Sequence, residues 1–125
     1  MNRVRNRVLV VDNDEDVLVQ VENALESEGY QTTTAWSGQQ ALYLLAEQAF
    51  DLVVLDDQLS DFSAEDLLRQ MPRSRAIPVI VTQNPGAAPC TADRYLALGA
   101  SAVVLKRPPG EIQSAVGQFL AAACL

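Results

Sequence analysis

Phe50-Asp51-Leu52-Val53-Val54-Leu55-Asp56 (FDLVVLD) is the stretch that decides the fold. A run this short, apolar and rich in β-branched residues reads as a strand buried on both faces, as in the middle of a parallel sheet. It ends on a carboxylate. In open α/β sheets the carboxyl ends of the strands line the ligand crevice, so Asp56 stands where chemistry is expected.

Outward from this strand, strand and helix patterns alternate five times. Arg7–Val11 (RVLVV) is a first strand with Asp12, Asn13 and Asp14 at its end. Asp14 suits a helix cap, and Val17, Leu18, Val21 and Leu25 recur at helical spacing until Gly29 stops the helix. Tyr30–Ala35 is Thr-rich and reads as a more exposed second strand. Ser37 is placed to cap a helix over about residues 39–48, with Ala41, Leu42, Leu45 and Ala46 facing in. After the opening strand, a loop from Asp57 leads to Ser63, a cap with Asp66 three residues on. Leu67, Leu68 and Met71 form that helix's apolar face, and Pro72 ends it. Ile77–Thr82 is the fourth strand. Asn84–Cys90 reads as a loop, with a short helix starting near Thr91. Ser101–Leu105 is the fifth strand, followed by Lys106. Pro109 fits the first turn of a last helix with Ile112, Val116, Phe119 and Leu120 inward.

The pattern specifies an α/β, doubly wound five-stranded parallel sheet of order 2-1-3-4-5, flavodoxin-like (βα)5. The 125 residues suit a single domain, with an ordered core of about residues 7–122. Net charge is -7, which argues against direct binding of nucleic acid. The cluster Arg3, Arg5, Arg7 reads as a solvated leader. No His is present, which removes imidazole chemistry, and Cys90 and Cys124 have no metal or redox spacing. No apolar run is long enough for a signal peptide core or a membrane span, so a cytoplasmic location is expected.

In this strand order Asp12, Asn13 and Asp56 meet at one edge, joined by Thr82 and Lys106. Clustered carboxylates favour a hard dication such as Mg²⁺. A carboxylate can also act as a nucleophile and form an acyl phosphate, a transfer that needs mainly positioning and charge neutralisation. Singly, each residue is ordinary: an Asp after a strand is usually a cap, and a Lys there is usually solvated. The argument rests on their coincidence at the ends of four strands.

VLVVDND, AWSGQQAL, FDLVVLDDQLSDFSAEDLL, IPVIVT and LGASAVVLK together resemble the receiver domain of two-component response regulators, over nearly the whole chain. The resemblance implies that Asp56 is the phosphoacceptor, that Asp12 and Asn13, with Asp56, hold Mg²⁺, and that Thr82 and Lys106 contact the phosphoryl group. It implies a sensor histidine kinase or phosphotransfer protein as donor, and a downstream protein partner engaged through the fourth helix, fifth strand and fifth helix. A homodimer is among the assemblies it admits. The domain promotes its own phosphoryl transfer and is not a stand-alone enzyme. A single-domain regulator and a receiver excised from a longer hybrid protein both fit.

The sequence also departs from that pattern. Asn13 replaces the second acid, Ser60 a common Pro and Ala64 a common Gly. Arg107 follows the lysine where Pro is usual, and Val103 stands where an aromatic switch residue is usual. The segment between Thr82 and Gly99 is longer than usual and Pro-rich. The alternative these departures raise is a degenerate receiver acting as a phosphorylation-independent interaction module. A haloacid dehalogenase-like phosphatase is disfavoured, because Asp57 and Gln58 follow Asp56 and the second Asp of that motif is missing.

Overall fold

The run ending at Asp56 forms the middle of the sheet. The computed structural model describes residues 6–71, 77–86 and 89–123. In chain order the elements are β1 (Arg7–Val11), α1 (Glu15–Glu26), β2 (Gln31–Ala35), α2 (Gly38–Glu47), β3 (Leu52–Asp56), α3 (Ala64–Gln70), β4 (Val79–Gln83), α4 (Pro89–Ala97), β5 (Ala102–Leu105) and α5 (Gly110–Ala123). All pairings are parallel and the order is β2-β1-β3-β4-β5, as expected from the alternation.

Every residue of β3 is buried, because helices cover both faces of the central strand. Alternate residues feed two cores. Leu9, Val53, Leu55, Val79 and Val81 pack with Ala41 of α2, Leu67 and Leu68 of α3 and Tyr95 of α4. Val8, Val10, Leu52, Val54 and Ile80 pack with Val17, Leu18, Val21 and Leu25 of α1 and Ile112, Val116 and Leu120 of α5. β2, rich in Thr, lies at an edge and is only partly covered.

The local signals act as read. Asp14 caps α1 by accepting from the Asp16 N–H at 3.0 Å. Ser37 and Ser63 cap α2 and α3, accepting from the Gln40 and Asp66 N–H groups at 3.1 Å each. Gly29 takes φ +94° just past α1, a conformation that only glycine adopts without strain. Differences are confined to boundaries and faces. α4 begins at Pro89 rather than near Thr91. The carbonyl of Pro109 accepts from the Gln113 N–H at 2.9 Å, so Pro109 sits just before α5, not inside its first turn. Ala46 is exposed rather than inward, while Phe119 is partly buried and packs against the core covered by α1 and α5, as expected. Pro72, expected to stop α3, lies outside the described residues, as do the Arg3 and Arg5 leader positions and Cys124.

The loop from β3 to α3 is fastened to the start of α2. Asp61 accepts from the Gly38 and Gln39 N–H groups at 2.9 Å each, and with Ser37 on Gln40 the first three donors of α2 are satisfied. Burial of Asp61 is slight, and these backbone donors hold its carboxyl below the ordinary carboxylate value. Phe62 lies over Gly38 so closely that an added Cβ would stand 2.6 Å from Phe62 Cδ2.

Candidate functional site

Strand register fixes how the five expected residues are brought together. Val10 is level with Val54, so Asp12 comes level with Asp56 at the next inward step. Asp56 is paired with Thr82, and Thr82 with Val104. Lys106 therefore starts two residues beyond that level, and its long stem runs back to the carboxylates. All four extend the rows that face α1 and α5, and all four are buried.

Lys106 Nζ lies 2.9 Å from Asp56 Oδ1 and 3.3 Å from Asp12 Oδ2. Burial alone would lower the ammonium pKa. The hydrogen bond and charge of Asp56, then the charge of Asp12, outweigh it and hold Lys106 above its ordinary value. It is the only lysine in the chain. Asp12 is raised above the ordinary carboxylate value, first by burial and then by the charge of Asp56. The Asp14 N–H, donating to Asp12 Oδ1 at 2.8 Å, and Lys106 oppose this.

Asp56 is fully buried, yet only one of its oxygens is used. Oδ1 accepts from Lys106 and from the Gln58 N–H at 3.3 Å, whereas Oδ2 is buried with no hydrogen-bond partner. Leaving a buried acceptor unpaired costs about 1–3 kcal/mol, and such groups concentrate where a ligand or reaction takes them up. Thr82, 2% exposed, stands beside Asp56 on β4, and its carbonyl accepts from the Asp57 N–H at 3.1 Å.

Asn13 is exposed at the mouth of the crevice, and among the described residues no hydrogen bond holds its amide. No group of three His, Cys, Asp or Glu residues is arranged to hold a metal among the described residues. Mg²⁺ does not require such a cage, because it keeps several waters and takes one or two carboxylates. Asp12, the unpaired Oδ2 of Asp56 and the open amide of Asn13 are hard oxygen donors that fit this ion.

Two placements around the site, those of Arg107 and Asp57, were not legible in the sequence. Arg107 spans its mouth, with Nη2 2.8 Å from Asp14 Oδ2, a contact between residues 93 apart that no local pattern announces. The peptide bond between Arg107 and Pro108 is cis. Asp57 turns to the opposite face from Asp56, as strand alternation requires, toward Gln83 and Tyr95.

The fold and site define a doubly wound α/β domain with a buried acidic crevice spanned by one lysine. The response regulator receiver domain model matches residues 8–117, and the chain belongs to this family. It is 42% identical over 67 residues to the alginate biosynthesis transcriptional regulatory protein AlgB of Pseudomonas aeruginosa, covering 54% of this chain and 15% of that protein. It is 32% identical over 81 residues to the DNA-binding response regulator MtrA of Mycolicibacterium smegmatis, covering 65% of this chain and 36% of MtrA. The chain thus spans about a third or less of these relatives. Among solved structures, the BeF3-activated receiver domain of DrrB superposes with a TM-score of 0.84 at 27% identity, covering 94% of this chain and 99% of that one. A CheY-like receiver domain protein from Methanospirillum hungatei superposes with a TM-score of 0.86 at 25% identity, covering 95% and 96%.

Proposed function

We propose that this receiver domain takes a phosphoryl group on Asp56 in two-component signal transduction, and that the modified state changes which protein it binds. The observation that carries this is the unpaired, buried Oδ2 of Asp56 beside a lysine that bridges Asp56 and Asp12.

The reaction is the attack of an Asp56 carboxylate oxygen on the phosphorus of a phosphohistidine in a sensor histidine kinase or phosphotransfer protein. The O–P bond forms as the N–P bond breaks, the electron pair leaves with the imidazole, and that ring takes a proton from solvent. Lys106, charged throughout the neutral range, offsets the charge gathering at the phosphoryl oxygens. Thr82 supplies a hydroxyl donor to one of those oxygens from the neighbouring strand. Asp12, Asn13 and Asp56 would hold Mg²⁺, which when bound supplies positive charge opposite Lys106. Asn13 brings one negative charge fewer than an acid, so the ion is held less tightly. Attack of water on phosphorus later releases phosphate and restores the Asp56 carboxylate.

Residues 1–125 act as one receiver domain, without stand-alone enzyme activity and without direct nucleic-acid contact. No helix among the described residues is long and apolar enough to cross a membrane, consistent with action in the cytoplasm. Self-association is a separate property, to be read by light scattering with and without the phosphoryl group.

The test is intact-protein mass spectrometry after incubation with acetyl phosphate, with and without Mg²⁺. A single phosphoryl adduct that requires Mg²⁺ is expected. No adduct, together with no Mg²⁺ binding, would instead favour the phosphorylation-independent interaction module.

A further inference from the structure

Val103 of β5 faces the α2, α3 and α4 side of the sheet as a partly buried aliphatic residue, so no aromatic ring at that position moves with Thr82. The aromatic ring near the site comes from α4 instead. Tyr95 is 8% exposed and packs with Leu55 and Val81, the residues just before Asp56 and Thr82. Its hydroxyl and the Gln83 amide face the Asp57 carboxylate as donors. Gln83, itself buried, donates through Nε2 to Thr91 Oγ1 at 2.7 Å. Asp57 Oδ1 is buried without a hydrogen-bond partner, so this polar cluster is incompletely satisfied.

Asp57 and Gln83 are the residues immediately after Asp56 and Thr82, the two that meet the phosphoryl group in the proposed function. A phosphoryl group on Asp56 adds negative charge next to the Asp57 carboxylate, where low-dielectric surroundings magnify like-charge repulsion. A pull on Thr82 displaces Gln83, its neighbour on the same strand. Both disturbances reach α4, at Tyr95 and at Thr91. Besides the shared core, α4 is tied to α3 among the described residues by a largely exposed pair, Arg94 Nη2 to Glu65 Oε1 at 2.9 Å, and surface pairs of this kind hold weakly.

We propose that in this chain the state of Asp56 is read out by a polar latch between the sheet edge and α4, built from Asp57, Gln83, Thr91 and Tyr95, in place of an aromatic side chain on β5. This rests on Asp56 being the acceptor. Tyr95 is a positioning residue here: it acts through Asp57 and touches no reacting atom.

The test is ¹⁹F NMR of the full chain carrying 3-fluorotyrosine, with Mg²⁺ and beryllofluoride as a stable phosphoryl mimic. The chain has three tyrosines, and their signals are assigned by Tyr→Phe variants. The same spectrum shows the fluorines of bound beryllofluoride. Expected is bound beryllofluoride together with a shifted Tyr95 signal, while Tyr30 and Tyr43 stay in place. Asp57→Asn, which keeps the shape and removes the charge, should still load but lose most of the Tyr95 shift. In unloaded Tyr95→Phe, α4 amides should exchange hydrogen about ten- to a hundred-fold faster than in the wild type, as loss of one donor to a charged group implies. Bound beryllofluoride with an unmoved Tyr95 signal overturns the latch and leaves the acceptor assignment standing. Absence of bound beryllofluoride overturns both. A full Tyr95 shift in loaded Asp57→Asn also overturns it.

Discussion

Replacing Lys106 with Met, which keeps the stem and removes the charge, tests how the crevice tolerates its two acids. Lys106 is 6% exposed, and the side chains of Asp12 and Asp56 are 3% and 0% exposed. Removing one partner of a buried ion pair costs about 3–5 kcal/mol, because the charge left behind is neither solvated nor paired. Here two carboxylates are stranded together, so the upper part of that range is expected, against a total stability of roughly 5–15 kcal/mol. At about 3–5 °C per kcal/mol for a domain of this size, Tm should fall by roughly 12–25 °C. Burial already raises Asp12, and losing the ammonium raises it further. The deficit should therefore shrink as pH falls and the stranded acid takes up a proton. Adding Asp56→Asn should recover half or more of the loss, since one of the two carboxylates is gone. The assay is urea unfolding followed by far-UV circular dichroism at two pH values, for the wild type, both single variants and the double variant. A Lys106→Met protein within about 1 kcal/mol of the wild type at both pH values would refute the reasoning, since the threshold lies well below the cost of a broken buried pair.

Gly38→Ala should cost about 1–3 kcal/mol despite the better helix propensity of Ala, because the new Cβ meets Phe62 at 2.6 Å and the neighbouring loop must shift; equal unfolding midpoints would contradict the close packing. Because Lys106 is raised in the folded state, its pairing stabilises the protein fully below the ordinary lysine pKa, about 10.4, and is lost as pH climbs through the raised value. ¹⁵N NMR of the sole lysine side chain follows this directly, and a midpoint at or below the ordinary value would contradict it. Asn13→Asp should tighten Mg²⁺ binding about ten-fold by adding one carboxylate contact near the surface; an unchanged calorimetric titration would mean that position 13 does not face the ion.

The fold was almost wholly legible because its signals are local. Buried β-branched runs announced β1, β3 and β4. Asp14, Ser37 and Ser63 announced helix starts, since a cap bonds within three residues. The convergence of Asp12, Asp56, Thr82 and Lys106 followed from strand order, and the register brings them together. Less legible was what depends on one side chain meeting another across the fold. Ala46 read as inward from spacing alone, but it is exposed: α2 buries Gly38 and Ala41 and packs Leu42, Leu44 and Leu45 against the core instead. The Arg107–Asp14 pair, the clasp of Asp61 on α2 and the approach of Tyr95 to Asp57 join residues far apart in sequence. Strand alternation turns Asp57 away from Asp56 and toward α4, a placement that depends on residues far along the chain.

The central claim is that Asp56 carries the phosphoryl group. The most direct measurement is borohydride reduction of the acetyl phosphate-treated protein, followed by peptide mass sequencing, since reduction converts an aspartyl phosphate to homoserine. Homoserine at position 56, absent when Asp56→Asn is treated alike, is the predicted result. Homoserine at position 12 or 57, or an undiminished label in Asp56→Asn, would contradict the account.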